Sequence, residues 1–160
     1  MLFRSHPTGA YAFVINELHS TVTAFTRDER KGSLKPLKTL STLPADFTGA
    51  NTGADLHVSA DGRFVYCSNR GDDSIGIFSF NPKDGLTALG HEKTRGRTPR
   101  NFGIDPTGRF LLVANQNSDN IVVFRRDGDA GRLNLAAQVE VPSPVCVKFM
   151  TAPPEKGEGV

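Results

Sequence analysis

The chain alternates between short apolar runs rich in β-branched and aromatic residues and polar turns carrying Gly, Pro, Asn or Asp. Tyr11–Ile15 and Phe64–Ser68 are such runs, bounded by Pro-x-Gly or Asp-Gly turns, and the pattern predicts strands there. Val22–Phe25, Ile75–Phe80 and Ile121–Phe124 predict second strands, and Leu133–Val141, behind a polar turn, predicts a third. Asp55–Ser59 and Phe102–Asp105 predict a further strand ahead of each Gly turn. No apolar stripe of helical period persists anywhere, so the expected fold is all-β with essentially no helix.

The pattern repeats. His6–Phe25, Ser59–Phe78 and Asp105–Phe124 align without a gap, at spacings of 53 and 46 residues. Each segment has Gly at its fourth place (Gly9, Gly62, Gly108), an aromatic at its sixth (Tyr11, Phe64, Phe110), Asn at its eleventh (Asn16, Asn69, Asn115) and Phe at its twentieth. Gly32, Gly85 and Gly131 follow each Phe at one distance, with Leu34, Leu86 and Leu133 just beyond. Such periods indicate solenoids or propellers, and four antiparallel strands per period indicate propeller blades. A WD-type propeller is disfavoured, because the chain has no Trp. The longer first spacing contains an insertion, Ala45–Gly53, whose Gly, Thr and Asn predict a mobile loop of the kind that borders sites.

Three blades do not close a ring. The expected organisation is an open arc over residues 1–150, with blades at 1–44, 54–94 and 100–142, a closing strand at Ser143–Met150 and a disordered Pro/Gly/Glu-rich tail over 151–160. Only Met1–Ser5 stand where the first blade's leading strand belongs. The expectation is thus a C-terminal piece whose upstream blades are missing; the alternative is a natural three-blade protein that closes by oligomerising.

With 160 residues, the chain is long enough for one domain. A net charge of +2, with acidic and basic residues interspersed, proposes no nucleic-acid footprint, and no apolar run has the length of a membrane span. Cys67 and Cys146 lie in alternating apolar segments and are expected as buried free thiols of a reducing cytoplasm, although a disulfide between them stays open. Neither has a partner at metal-ligand spacing, and no nucleotide loop or serine elbow occurs, so no metal and no cofactor are expected.

The strings VINELHSTVTAF (14–25), GADLHVSADGRFVYCSNR (53–70) and TPRNFGIDPTGRFLLVANQNSDNIVVF (98–124) resemble the seven-bladed propeller lactonase family, which includes the propeller-type 6-phosphogluconolactonase and the fungal carboxy-muconate cyclase. The resemblance covers about Pro7–Phe149. It implies a metal-independent enzyme acting on an anionic lactone, with hydrolysis of 6-phosphogluconolactone as the leading expectation. The alternatives are a muconolactone cycloisomerase and a non-catalytic binding scaffold. Glu17 matches the Glu of the family's Asn-Glu-Leu motif, and Arg100 the Arg of its Pro-Arg-x-Phe motif. A second family Arg falls at Met1 and a family His belongs to an earlier blade, so this chain has neither.

Physical chemistry gives each candidate a role and an alternative. Glu17 ends a strand at a propeller mouth, suited to activating water, or is a solvated turn residue. Its counterparts in the other repeats are Arg70 and Gln116, which with Asn16 and Asn69 are expected to line the same mouth. The recurring Asn has a local turn-capping role as its alternative. Arg100 opens an inner strand, where a guanidinium suits a phosphate or carboxylate and a developing oxyanion, or a salt bridge across the channel. Asp55 and His57 share one face of a strand, as a pair in which His57 carries protons or as a structural tie between blades.

Overall fold

A computed structural model describes residues 2–150; Met1 and residues 151–160, and with them the expected disordered tail, lie outside the described residues. Twelve strands form three separate four-stranded antiparallel sheets, each in simple sequence order. The first contains β1 (Leu2–Ser5), β2 (Tyr11–Asn16), β3 (Thr21–Arg27) and β4 (Leu34–Ser41). The second contains β5 (Thr52–Val58), β6 (Phe64–Arg70), β7 (Ser74–Asn81) and β8 (Gly85–Lys93). The third contains β9 (Pro99–Ile104), β10 (Phe110–Asn115), β11 (Asn120–Arg126) and β12 (Leu133–Glu140). Among the described residues the sole helical stretch is a 3-10 turn, Gln116–Ser118.

The repeated glycines explain why the three units share one shape. Gly9, Gly62 and Gly108 have φ of 76, 75 and 70°, in the left-handed region where a Cβ is penalised, and each donates its N–H back across the turn joining the first two strands. The sheets stack face to face, first strand beside first strand and, in the first two blades, fourth beside fourth, as blades around an axis. Two apolar layers result. Phe13, Ile15 and Val22 meet Leu56, Val65, Cys67 and Phe78 between the first two blades. Tyr66, Ile75 and Ile77 meet Phe102, Leu111, Val113 and Phe124 between the second and third. The middle blade is therefore covered on both faces, and six consecutive residues of β6, Phe64–Asn69, are buried. The outermost strands β4 and β12 are exposed along almost their whole length.

Polar groups cross both junctions. Asn69 donates from Nδ2 to Thr42 O at 2.6 Å and accepts from Thr42 Oγ1 at 2.7 Å, while Asn115 donates to Thr94 O at 3.0 Å. Tyr66, fully buried, donates its hydroxyl to Gly131 O at 2.9 Å. Replacing it by phenylalanine leaves that carbonyl unpaired. Tyr66→Phe is expected to cost about 1–2 kcal/mol of stability, read as a lower urea midpoint at unchanged slope. An unchanged midpoint would show that the bond across the second junction contributes nothing net.

Two expectations need amending. β1 pairs with β2 over four residues, from Leu2↔Ile15 to Ser5↔Ala12, so the first blade has a leading strand, though a shorter one than β5 or β9. Ser143–Met150, expected to close a blade whose other strands lie upstream, has no ladder partner among the described residues. It runs beside β9, with Val147 N donating to Asn101 Oδ1 at 2.6 Å and the Phe149 ring lying over Gly103. Cys146, expected to be buried, is exposed, whereas Cys67 is buried; both are free thiols.

Candidate functional site

The first strands β1, β5 and β9 line the inner edge of the arc. Counting back from the aligned turns, Asp55 and Asn101 occupy one repeat position, and Arg4, His57 and Gly103 another. Around Asp55 these strands converge. Its Oδ1 accepts from Leu56 N at 2.8 Å and from Arg4 Nη2 at 3.4 Å. Its Oδ2 accepts from Asn101 Nδ2 at 2.5 Å and lies 3.3 Å from His57 Nε2. Asn101 in turn holds Val147, so one buried carboxylate links the inner strands of all three blades and the segment beyond them. Asp55 is 1% exposed. Burial pushes its carboxyl up, but the hydrogen bond and charge of His57 and the N–H groups of Leu56 and Phe102 outweigh that and hold it below the usual value of 3.8. The same carboxylate adds to burial in raising the neighbouring Cys67 thiol well above its ordinary range, which leaves that thiol inert.

His57 is half-buried against the Phe102 ring, with centroids 4.8 Å apart. Its Nε2 faces Asp55 and stands 3.5 Å from Arg4 Nη2, while Nδ1 has no hydrogen-bond partner among the described residues.

A second group of side chains gathers where the inner strands begin, beside the hairpin ends of β2, β6 and β10. Glu17 Oε1 meets Arg70 Nη2 at 2.5 Å, and Arg70 also donates to Gly53 O at 3.2 Å. Thus two of the three equivalent hairpin residues are paired with each other across the first junction. The third, Gln116, accepts from Arg100 Nη1 at 3.4 Å through Oε1. Arg100 is exposed and has no carboxylate partner within ion-pair distance among the described residues. The insertion after the first blade joins this end: Asn51 bonds Ser20 Oγ at 2.8 Å and accepts from Asp72 N at 3.1 Å.

The recurring Asn divides by blade. Asn16 donates to Thr21 and Thr23 Oγ1 of its own hairpin, at 3.0 and 3.1 Å. Asn69 and Asn115 are wholly buried inter-blade ties, with the amide of Asn69 taken up by Thr42, Asn51 and Ser74. The candidates therefore fall into an inner cluster of Asp55 and His57 and a mouth group of Glu17, Arg70, Gln116 and Arg100. Arg4 and Asn101 were missed from sequence. Registering the first strands on the aligned turns would have placed them beside His57 and Asp55.

Among the described residues no group of three His, Cys, Asp or Glu side chains is arranged to hold a metal ion. A groove of about 720 Å³ lies under the turn Ser59–Gly62, at the other end of the inner strands from Arg100, and none of the candidate residues lines it.

Comparison with known proteins places this geometry. The chain is 43% identical over 147 residues to the 6-phosphogluconolactonase of Bacillus subtilis, covering 91% of the chain and 42% of that protein. A crystal structure of a protein from Lactobacillus plantarum superposes with a TM-score of 0.91 at 38% identity, over 94% of this chain and 44% of that one. The Pseudomonas aeruginosa periplasmic gluconolactonase PpgL superposes at 0.88 with 39% identity, over 95% and 42%. The chain thus spans about two-fifths of the length of these relatives, the share that three blades of seven represent. The sequence model of the lactonase family with a seven-bladed β-propeller matches residues 2–149, and the chain belongs to that family.

Proposed function

We propose that this chain supplies three blades of a seven-bladed lactone hydrolase of the 6-phosphogluconolactonase type. The carrying observation is its 43% identity, along nearly its whole length, to the Bacillus subtilis 6-phosphogluconolactonase. In the reaction, water oxygen bonds to the lactone carbonyl carbon and the ring C–O bond breaks. The ring oxygen takes up a proton as it becomes a hydroxyl, and a carboxylic acid is released. Arg100, without a carboxylate partner, is the group available to hold an anionic handle or the developing oxyanion. Glu17, aimed by Arg70, is the carboxylate available to take a proton from the attacking water. His57, oriented by Asp55 through Nε2, offers Nδ1 for returning a proton to the leaving oxygen. Two free thiols and a phosphorylated substrate favour the cytoplasm as its compartment.

A second substrate is favoured by one observation: the similarity to a gluconolactonase raises the unphosphorylated lactone as an alternative. Both are tested together. The chain is joined to the N-terminal blades of the Bacillus subtilis relative, and acid release from 6-phosphogluconolactone and from glucono-δ-lactone is followed above the spontaneous rate. Faster release from the phosphorylated lactone is expected. Release at the spontaneous rate from both, by a folded protein, would remove the hydrolase assignment.

A further inference from the structure

The crossing from the second blade to the third carries three arginines, Arg95, Arg97 and Arg100, within six residues. Their commitments differ. Arg95 is ion-paired with Glu92 at 3.0 Å. Arg97 and Arg100 are both exposed, and neither has a carboxylate within ion-pair distance among the described residues. Both reach the same turn: Arg97 Nη2 donates to Asn117 O at 3.0 Å, and Arg100 Nη1 to Gln116 Oε1 at 3.4 Å. Two guanidinium groups without counter-ions thus lean on consecutive residues at the mouth. Of the acidic groups on the adjoining turns, Asp72 is ion-paired, while Asp73 and Asp119 keep their charge and are oriented by backbone N–H groups rather than by an arginine. Asp72 holds Lys93 at 2.6 Å, Asp73 accepts from Thr98 N at 2.8 Å, and Asp119 accepts from Ser143 N at 2.8 Å.

The scaffold does not require these charges. Thr98 has a left-handed φ of 59°, rare for a β-branched residue, and is held by Asp73 and by Gln116 N, which donates to its carbonyl at 3.0 Å. The next crossing repeats the device with Ser143, φ 42°, held by Asp119 and likewise followed by Pro. There the positions matching Arg97 and Arg100 are Pro142 and Val145. One pinned backbone thus carries two cations in one crossing and none in the other, so the cations are an addition to the fold. Arg97 is fixed further by its own N–H, which donates to Ser118 Oγ at 2.8 Å.

We infer that Arg97 and Arg100 together form a phosphate subsite, and that Arg97 makes the mouth select a phosphorylated aldonolactone over the same lactone without phosphate. This rests on the lactone-hydrolase assignment above and deepens it. Two uncompensated cations match a phosphate dianion better than a carboxylate monoanion or a neutral sugar, and guanidinium groups grip phosphate oxygens in pairs.

The test compares 6-phosphogluconate with gluconate, the two product acids, which differ only in the phosphate. Binding of each to this chain is measured by titration calorimetry at low salt, for the wild type and for Arg97→Met and Arg97→Lys. The wild type is expected to bind 6-phosphogluconate roughly tenfold or more tighter than gluconate, with that preference largely lost in Arg97→Met and partly kept in Arg97→Lys. Equal binding of the two acids, binding of neither, or a preference that survives Arg97→Met overturns the subsite. In the seven-bladed protein, Arg97→Met is expected to raise KM for 6-phosphogluconolactone roughly tenfold with little change in kcat. A phosphate preference in the product titration without any lactone hydrolysis would leave the subsite standing and remove the hydrolase assignment alone.

Discussion

Arg100→Ala in the seven-bladed protein is expected to lower kcat/KM for 6-phosphogluconolactone by roughly 10–10², and Glu17→Gln to lower kcat by roughly 10²–10⁴. The arginine figure is what hydrogen bonds from one guanidinium to a substrate phosphate contribute; the glutamate figure is what a positioned base contributes. The geometry makes the two losses differ in kind. Arg100 has only the 3.4 Å contact with Gln116, so its removal leaves little behind to rearrange. Glu17 is bound to Arg70 at 2.5 Å, so the amide variant also leaves that guanidinium without a counter-charge, though its oxygen still accepts a hydrogen bond. Arg70→Met therefore belongs beside it: if Arg70 aims the carboxylate, that variant loses part of kcat while Glu17 is intact. Full turnover in both Arg100→Ala and Glu17→Gln would show that the chemistry resides elsewhere.

The largest expected effect on stability is at Asp55. Asp55→Ala leaves Arg4, His57 and Asn101 without their common acceptor where three inner strands meet, and removing one partner of a buried ion pair costs about 3–5 kcal/mol. Arg4 is one-third exposed and recovers part of its loss from water, which puts the expectation near the lower end. Equilibrium urea unfolding of this chain gives the number, and a loss under about 1 kcal/mol would mean that the three strands do not depend on this carboxylate. The acid response follows with a definite sign. Because folding depresses the Asp55 carboxyl below 3.8, its contribution is complete above that value and falls away as pH drops through the lower, folded value. Asp61, held at about 2 against burial by Ser59 Oγ and Arg63, adds to the same window between about 4 and 2. In Asp55→Asn the acid-induced loss is expected to shrink to what Asp61 and the turn carboxylates Asp105 and Asp127 supply.

The blades were legible in the sequence because their causes are local. Period-two alternation, a left-handed Gly at each first turn and a Phe within each third strand act within a few residues, and they recur three times in register. Asp55 and His57 were legible as a pair for the same reason: two residues apart on one strand, they share a face. Arg4 and Asn101 are legible only through the register between repeats, since each reaches Asp55 from another blade, 51 and 46 residues away in the chain. The recurring Asn shows the limit most clearly. Sequence offers one residue type at one repeat position, and the structure uses it in two ways. Asn16 bonds its own hairpin, whereas Asn69 and Asn115 face the final threonine of the preceding blade.

The sequence by itself thus determined the blade, its number of copies and the family, because strand period, turn chemistry and repeat register are properties of short stretches of chain. Only the tertiary structure decided which polar groups meet. Glu17 is paired with Arg70, Asp55 gathers three strands, and Arg97 and Arg100 are left without counter-ions, since such contacts depend on how one sheet stacks upon the next.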